Sequence, residues 1–189
     1  MSAPSLFVPQ RSIRTLAPLA LIIGLVLLSA PAQAATLIVT NNNDSGAGSL
    51  RQAIADASAG DTITFDDKFS ITLTSGELSV TKSLTIDGDL DDDGAPDITV
   101  SGNNTLQVFA IMGAVTVTLD GLTITGGWSP AGGGIYAFGG TLTVAHSTVS
   151  GNSAVGSGGG DGGGGIYAFD ETLTVAHSTV SGNSAVGSG

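Results

Sequence analysis

Short runs of strict apolar–polar alternation recur along the chain: Leu84 and Ile86; Ile98 and Val100; Val115, Val117 and Leu119; Leu122 and Ile124; Leu142 and Val144; Leu173 and Val175. A period of two places these side chains on one face of a strand. Threonine fills many of the intervening positions, where a β-branched side chain suits a pleated, half-wet surface. Glycine separates the runs, so the spacing predicts short strands joined by turns. A helical pattern occurs upstream, where Leu50, Ile54 and Ala57 share one face behind Ser49 and Gln52, which are spaced as a capping box, and Gly60 ends it. This short amphipathic helix is predicted to lie over one end of the strands and cover their edges.

Repetition decides how the strands are arranged. The eighteen residues TLTVAHSTVSGNSAVGSG, from Thr141 to Gly158, return from Thr172 to Gly189. Residues 135–158 and 166–189 differ only as Gly139/Asp170 and Gly140/Glu171. Weaker echoes begin at Val100 and Ile124, so that Val100, Ile124, Val149 and Val180 are spaced by 24, 25 and 31 residues, the last interval lengthened by a Gly-rich insert, 156–165. One coil of a parallel solenoid fits this period, with surplus residues extruded as a loop. Each coil buries its apolar face against its neighbours, so a duplicated coil costs the fold nothing. The expected fold is all-β, a right-handed parallel β-helix over residues 62–189, preceded by a strand and capping helix over 35–61. Asn152 and Asn183 hold the same place in their coils, either as turn residues that tolerate left-handed backbone or as a ladder of stacked amides.

Residues 1–34 are expected to be removed: Arg11 and Arg14 precede an apolar run, 16–28, that ends on Ala32-Gln33-Ala34, the layout of a secretory signal peptide. The run is broken by Pro18 and is too short for a membrane anchor, which needs roughly 18 or more apolar residues, so no transmembrane span remains after cleavage. The chain has no cysteine, so an exported product has no disulfide framework and is held by packing. The formal net charge is −11, and beyond the signal peptide the basic residues are Arg51, Lys68 and Lys82. Such a surface repels nucleic acid and anionic lipid and favours divalent cations or neutral glycans.

The stretch VTNNNDSGAGSLRQAIADASAGDTITFD, residues 39–66, resembles the start of secreted bacterial parallel β-helix proteins of the pectin-lyase-like superfamily. GGGIYAF (132–138 and 163–169), followed by STVSGNSA (147–154 and 178–185), resembles the repeats of polymorphic outer-membrane and autotransporter passenger proteins. The resemblance implies a bacterial protein that is secreted or displayed at the cell surface, with a structural or adhesin-like role. The scaffold also hosts polysaccharide lyases and glycoside hydrolases, which is the alternative reading. Lyases of this kind carry a basic residue beside calcium-binding carboxylates on a coil face. Here Arg51 is expected to point outward from the helix, and no carboxylate cluster stands on the same coil as Lys68 or Lys82. A further alternative is a fragment of a longer repeat protein, whose uncapped C-terminal end would invite self-association.

Three features offer chemistry. Asp89, Asp91 and Asp93 at alternate positions before Gly94, with Asp97 beyond, follow the first half of a calcium-binding loop. The glutamate expected three residues after Asp97 is Val100, so the expected ion is a weakly held structural Ca²⁺. His146 and His177 stack as one residue duplicated, with no second ligand in the repeat. Trp128, Tyr136, Phe138, Tyr167 and Phe169 form either packing between coils or an aromatic stripe for stacking on sugars.

Overall fold

In the computed structural model, residues 33–156 and 162–187 are described. The signal peptide predicted over 1–34 lies outside them except for its last two residues, as do residues 157–161 of the Gly-rich insert. The described chain is a parallel β-solenoid of about five turns. Its elements are β1 (Thr36–Val39), α1 (Leu50–Asp56), β2 (Thr62–Phe65), β3 (Ser70–Thr72), β4 (Leu78–Val80), β5 (Leu84–Asp87), β6 (Ile98–Ser101), β7 (Phe109–Asp120) and β8 (Leu122–Thr125). They continue as β9 (Trp128–Ser129), β10 (Ile135–Ala145), β11 (Thr148–Ser150), β12 (Ser153–Gly156), β13 (Ile166–Ala176), β14 (Thr179–Ser181) and β15 (Ser184–Gly187). The strands stack in the orders β1-β2-β5-β7-β10-β13, with β4 beside β7, then β3-β6-β8-β11-β14, then β9-β12-β15.

The predicted alternation points inward as expected. Ile63, Ile86, Leu119, Val144 and Val175 are register partners up one stack, and Ile98, Leu122 and Val100, Ile124, Val149, Val180 up the next. All are fully buried except Val175 and Val180, which belong to the last coil. Fully burying one such aliphatic side chain contributes about 1.5–3 kcal/mol.

The long strands β7, β10 and β13 each bend between two faces at a left-handed residue: Gly113 (φ 95°), Gly139 (φ 74°) and Asp170 (φ 52°). This accounts for the first difference between the repeats, because aspartate tolerates that backbone better than most side chains. The second has a steric basis. A Cβ on Gly140 would lie 2.3 Å from the Val115 carbonyl oxygen, at the irregularity where β10 passes over β7. Glu171 is instead paired with Gly140, which leaves room for a side chain.

The cap forms with two departures from expectation. Ser49 Oγ accepts the Gln52 N–H at 3.2 Å, but the Gln52 side chain turns forward to Asp56 rather than back, so the capping box is half made. The helix stops at Asp56, before Gly60, whose left-handed backbone (φ 95°) leads into buried Asp61. Asp61 accepts the N–H groups of Ala35 and Ser58 at 2.8 and 2.7 Å. Leu50, Ala53 and Ile54 bury the inner face of α1. Arg51 does not point freely outward. It bonds the Asp44 carboxylate at 2.7 Å and the carbonyls of Asp44, Gly76 and Glu77, tying the cap to the strand-β4 coil.

Asn152 and Asn183 form the ladder. Asn152 Nδ2 donates to Asn183 Oδ1 at 2.9 Å and to the Ile124 carbonyl at 3.0 Å, while its Oδ1 accepts the Gly127 N–H at 2.7 Å. The asparagine thereby satisfies buried backbone groups that a turn alone would leave open.

Candidate functional site

The acidic loop between β5 and β6 brings together three of the four carboxylates predicted to hold an ion. One oxygen each from Asp89, Asp91 and Asp97 lies within 4.8 Å of the others. Asp93 does not join them, because Asp92 adopts left-handed backbone (φ 55°) and Asp93 Oδ1 instead accepts the Ala95 N–H at 2.8 Å. The loop also satisfies itself. Asp89 accepts the N–H groups of Asp93 and Gly94 at 3.1 and 2.9 Å, and Asp97 accepts that of Leu90 at 3.2 Å.

A cation of the chain already stands at this cluster. The Lys68 ammonium pairs with the Asp97 carboxylate and lies 3.9 Å from Asp91. Reading each coil alone hides this contact, since Lys68 precedes β3 and Asp97 precedes β6, and the pairing of those strands brings them together. The hydrogen bond to Asp97, aided by the neighbouring acids, raises the Lys68 pKa, and the same bond lowers that of Asp97. Lys68 is therefore charged at neutral pH and is no proton acceptor there.

The histidines border the same corner. His146 Nδ1 lies 2.9 Å from Asp120 Oδ1, so a neighbouring coil supplies the partner that the repeat lacks. Asp120 is the register partner of Asp87, whose pKa is raised by burial and then by nearby acids including Asp120. The rings of His146 and His177 stack with centroids 5.3 Å apart. A Cβ on Gly94 would approach within 3.6 Å of His146 Cδ2, which sets the acidic loop beside the histidine column.

The aromatic side chains gather on another face. Tyr136 stacks on Tyr167 at 5.5 Å and Phe138 on Phe169 at 5.7 Å, and Met112 is the register partner of Phe138. Phe138 and Phe169 are 38% and 55% exposed, so these rings cover the outside of the solenoid rather than pack within it. Trp128 belongs to the β9-β12-β15 sheet and stands apart from them. Beside the columns lies a groove of about 440 Å³, lined by Glu77, Ser79, Gln107, Ala110, Met112, Pro130, Ala131 and Tyr136. Gln107 Nε2 donates to the carbonyls of Ala131 and Gly132 at 3.1 and 2.6 Å and so fixes one wall. The sequence hinted at the rings; the groove depends on strands far apart in the chain.

The sequence matches no protein-family model and no curated protein. Among the described residues no helix is long and apolar enough to cross a membrane.

Proposed function

We propose that the chain is an exported, surface-associated solenoid of structural or adhesin-like character, which contacts neutral glycans through its aromatic face. The observation that carries this reading is the pair of ring columns, Phe138–Phe169 exposed and Tyr136–Tyr167 half-buried, beside a groove of mixed polar and apolar lining. Aromatic faces stack on the apolar faces of sugar rings, and Glu77, Ser79 and Gln107 add hydrogen-bonding groups at the edge. The strongly acidic surface disfavours polyanionic chains. The signal-peptide pattern, with the likeness to passenger repeats and pectin-lyase-like starts, supports export and surface display. Retention on immobilised neutral polysaccharides tests the reading. Replacing Tyr136 and Phe138 together by alanine is expected to weaken retention about tenfold. Retention that ignores the double substitution, or that appears only with anionic polymers, would contradict it.

A polysaccharide lyase or hydrolase is favoured by one observation, the convergence of Lys68 with Asp91 and Asp97. The charged state of Lys68 weighs against it as a base. A structural Ca²⁺ on Asp89, Asp91 and Asp97 is the accompanying proposal, and the ion would have to displace the Lys68 ammonium. Millimolar Ca²⁺ is then expected to raise the unfolding midpoint, and more so in Lys68→Met. A midpoint indifferent to Ca²⁺ in both proteins would leave Lys68 as the loop's own counter-ion.

A further inference from the structure

The outward column on the sheet formed by β4, β7, β10 and β13 changes character part-way along. Its register partners are Ser79, Ala110, Tyr136 and Tyr167. The two rings stack with centroids 5.5 Å apart. The next rung, one strand spacing of about 4.8 Å further on, holds only the methyl group of Ala110. Among the described residues, the face of Tyr136 turned toward Ala110 meets no second ring, and the groove of about 440 Å³ lies there. Met112 flanks this slot as the register partner of Phe138, and α1 packs against β4 at its far end. The strands that carry Ser79, Ala110 and Tyr136 each lie between two other described elements.

The fixed polar groups of the slot are acceptors. Gln107 spends its Nε2 hydrogens on the carbonyls of Ala131 and Gly132, so its amide presents only Oε1. Glu77 and Ser79, two residues apart, share the outer face, and the exposed Glu77 carboxylate has no hydrogen-bond or ion-pair partner among the described residues. The neighbouring cations are engaged elsewhere, Arg51 with Asp44 and three backbone carbonyls, Lys82 with the carbonyls of Ala55 and Ala57. The hydroxyls of Ser79 and Tyr136 can serve as donor or acceptor. A ligand in the slot therefore meets a ring face and unpaired acceptors, one of them anionic.

We infer that the slot binds a single amino-sugar residue, a pyranose that stacks on Tyr136 over Ala110, with its ammonium held by the Glu77 carboxylate and a hydroxyl donating to Gln107 Oε1. The inference rests on the glycan reading and narrows it: the ring columns stack on uncharged sugars of the chain, and the slot selects one that bears a free amine. An uncharged sugar leaves Glu77 without a counter-charge, and an acidic sugar is repelled by it. The face of Tyr136 adds its own attraction for a nearby cation.

Titration calorimetry of the full chain with two β-1,4-linked oligosaccharides of equal length tests it, one of glucose and one of glucosamine, which differ only in the 2-hydroxyl and the 2-ammonium. In mildly acidic buffer, the glucosamine oligomer is expected to bind at least about threefold more tightly. Glu77→Gln is expected to remove that preference, whereas Asp66→Asn, which deletes an exposed charge after β2, keeps it. Ala110→Tyr, which continues the ring column and fills the slot, is expected to weaken binding of both oligomers about tenfold. Circular dichroism checks that each variant is folded. Equal affinities would overturn the inference, and leave the glycan reading standing where Tyr136→Ala weakens both. A preference that survives Glu77→Gln, or that Asp66→Asn removes as well, would overturn it in favour of attraction to the net charge alone. Binding of neither oligomer would overturn both readings.

Discussion

Single residues hold this fold at its turns. Asn152 is buried and serves backbone groups of two coils, so Asn152→Ala removes the acceptor of the Gly127 N–H and one donor to the Ile124 carbonyl. Unsatisfied buried groups cost about 1–3 kcal/mol each, and a loss of roughly 2–4 kcal/mol is expected in denaturant unfolding. The same change at the half-buried Asn183 is expected to cost less. Asp44 binds the cap to the stack: burial opposes its charge, but hydrogen bonds from Arg51, Ser75 and Thr74 prevail and hold its pKa far below the usual carboxylate range. The pKa values of Asp61 and Asp97 are also lowered, the first by N–H groups of Ala35 and Ser58 and the second by Lys68. A carboxylate with a lowered folded pKa contributes stability that is present above its unfolded value, near pH 4, and is lost as pH falls through the folded value. Unfolding followed from pH 7 downward should therefore show the midpoint dropping below about pH 4. Arg51→Ala is expected to cost about 1–2 kcal/mol at pH 7, discounted for the partial exposure of the pair.

At the scale of elements, the duplicated coils form an internal control. Leu142 and Leu173 have nearly the same sequence surroundings, yet one is buried and the other is exposed. Leu142→Ala is expected to cost about 2–5 kcal/mol, and Leu173→Ala well under half of that, both by denaturant unfolding. Glu171 carries the desolvated carboxylate of β13. Both carboxylate oxygens are buried without a partner, and burial raises its pKa. The sign is opposite to that of Asp44: stability from this group is present at low pH and lost as pH rises through the raised value. Glu171→Gln should thus raise the midpoint at pH 7 and leave it unchanged where the wild-type carboxyl is protonated. The strands were legible in the sequence because their alternation reflects a core that buries one face alone. Contacts between coils were not. Lys68 with Asp97, His146 with Asp120 and Arg51 with Glu77 join residues 25–30 positions apart, and loops of unequal length decide which of them meet. Asp93 lies outside the carboxylate cluster for a local reason that sequence spacing does not carry: it follows left-handed Asp92 and its carboxylate accepts the Ala95 N–H.

At the scale of the described residues as a whole, the coils form a graded stack, with α1 over one end and the more exposed strands of the last described coil at the other. Repeat stacks of this kind derive stability from each coil and its neighbours, so a coil with one neighbour is the first to open. The net charge of −11 opposes close approach of two copies of the chain. The two repeats share almost every residue, so their amides have nearly equal intrinsic exchange rates and any difference in protection reports position in the stack. Hydrogen exchange read by nuclear magnetic resonance on β10 and β11 against β13 and β14 is the most direct test. Amides of the last described coil are expected to exchange at least about tenfold faster than their counterparts one coil earlier. Equal protection in the two coils, or slower exchange in the last, would contradict a graded stack.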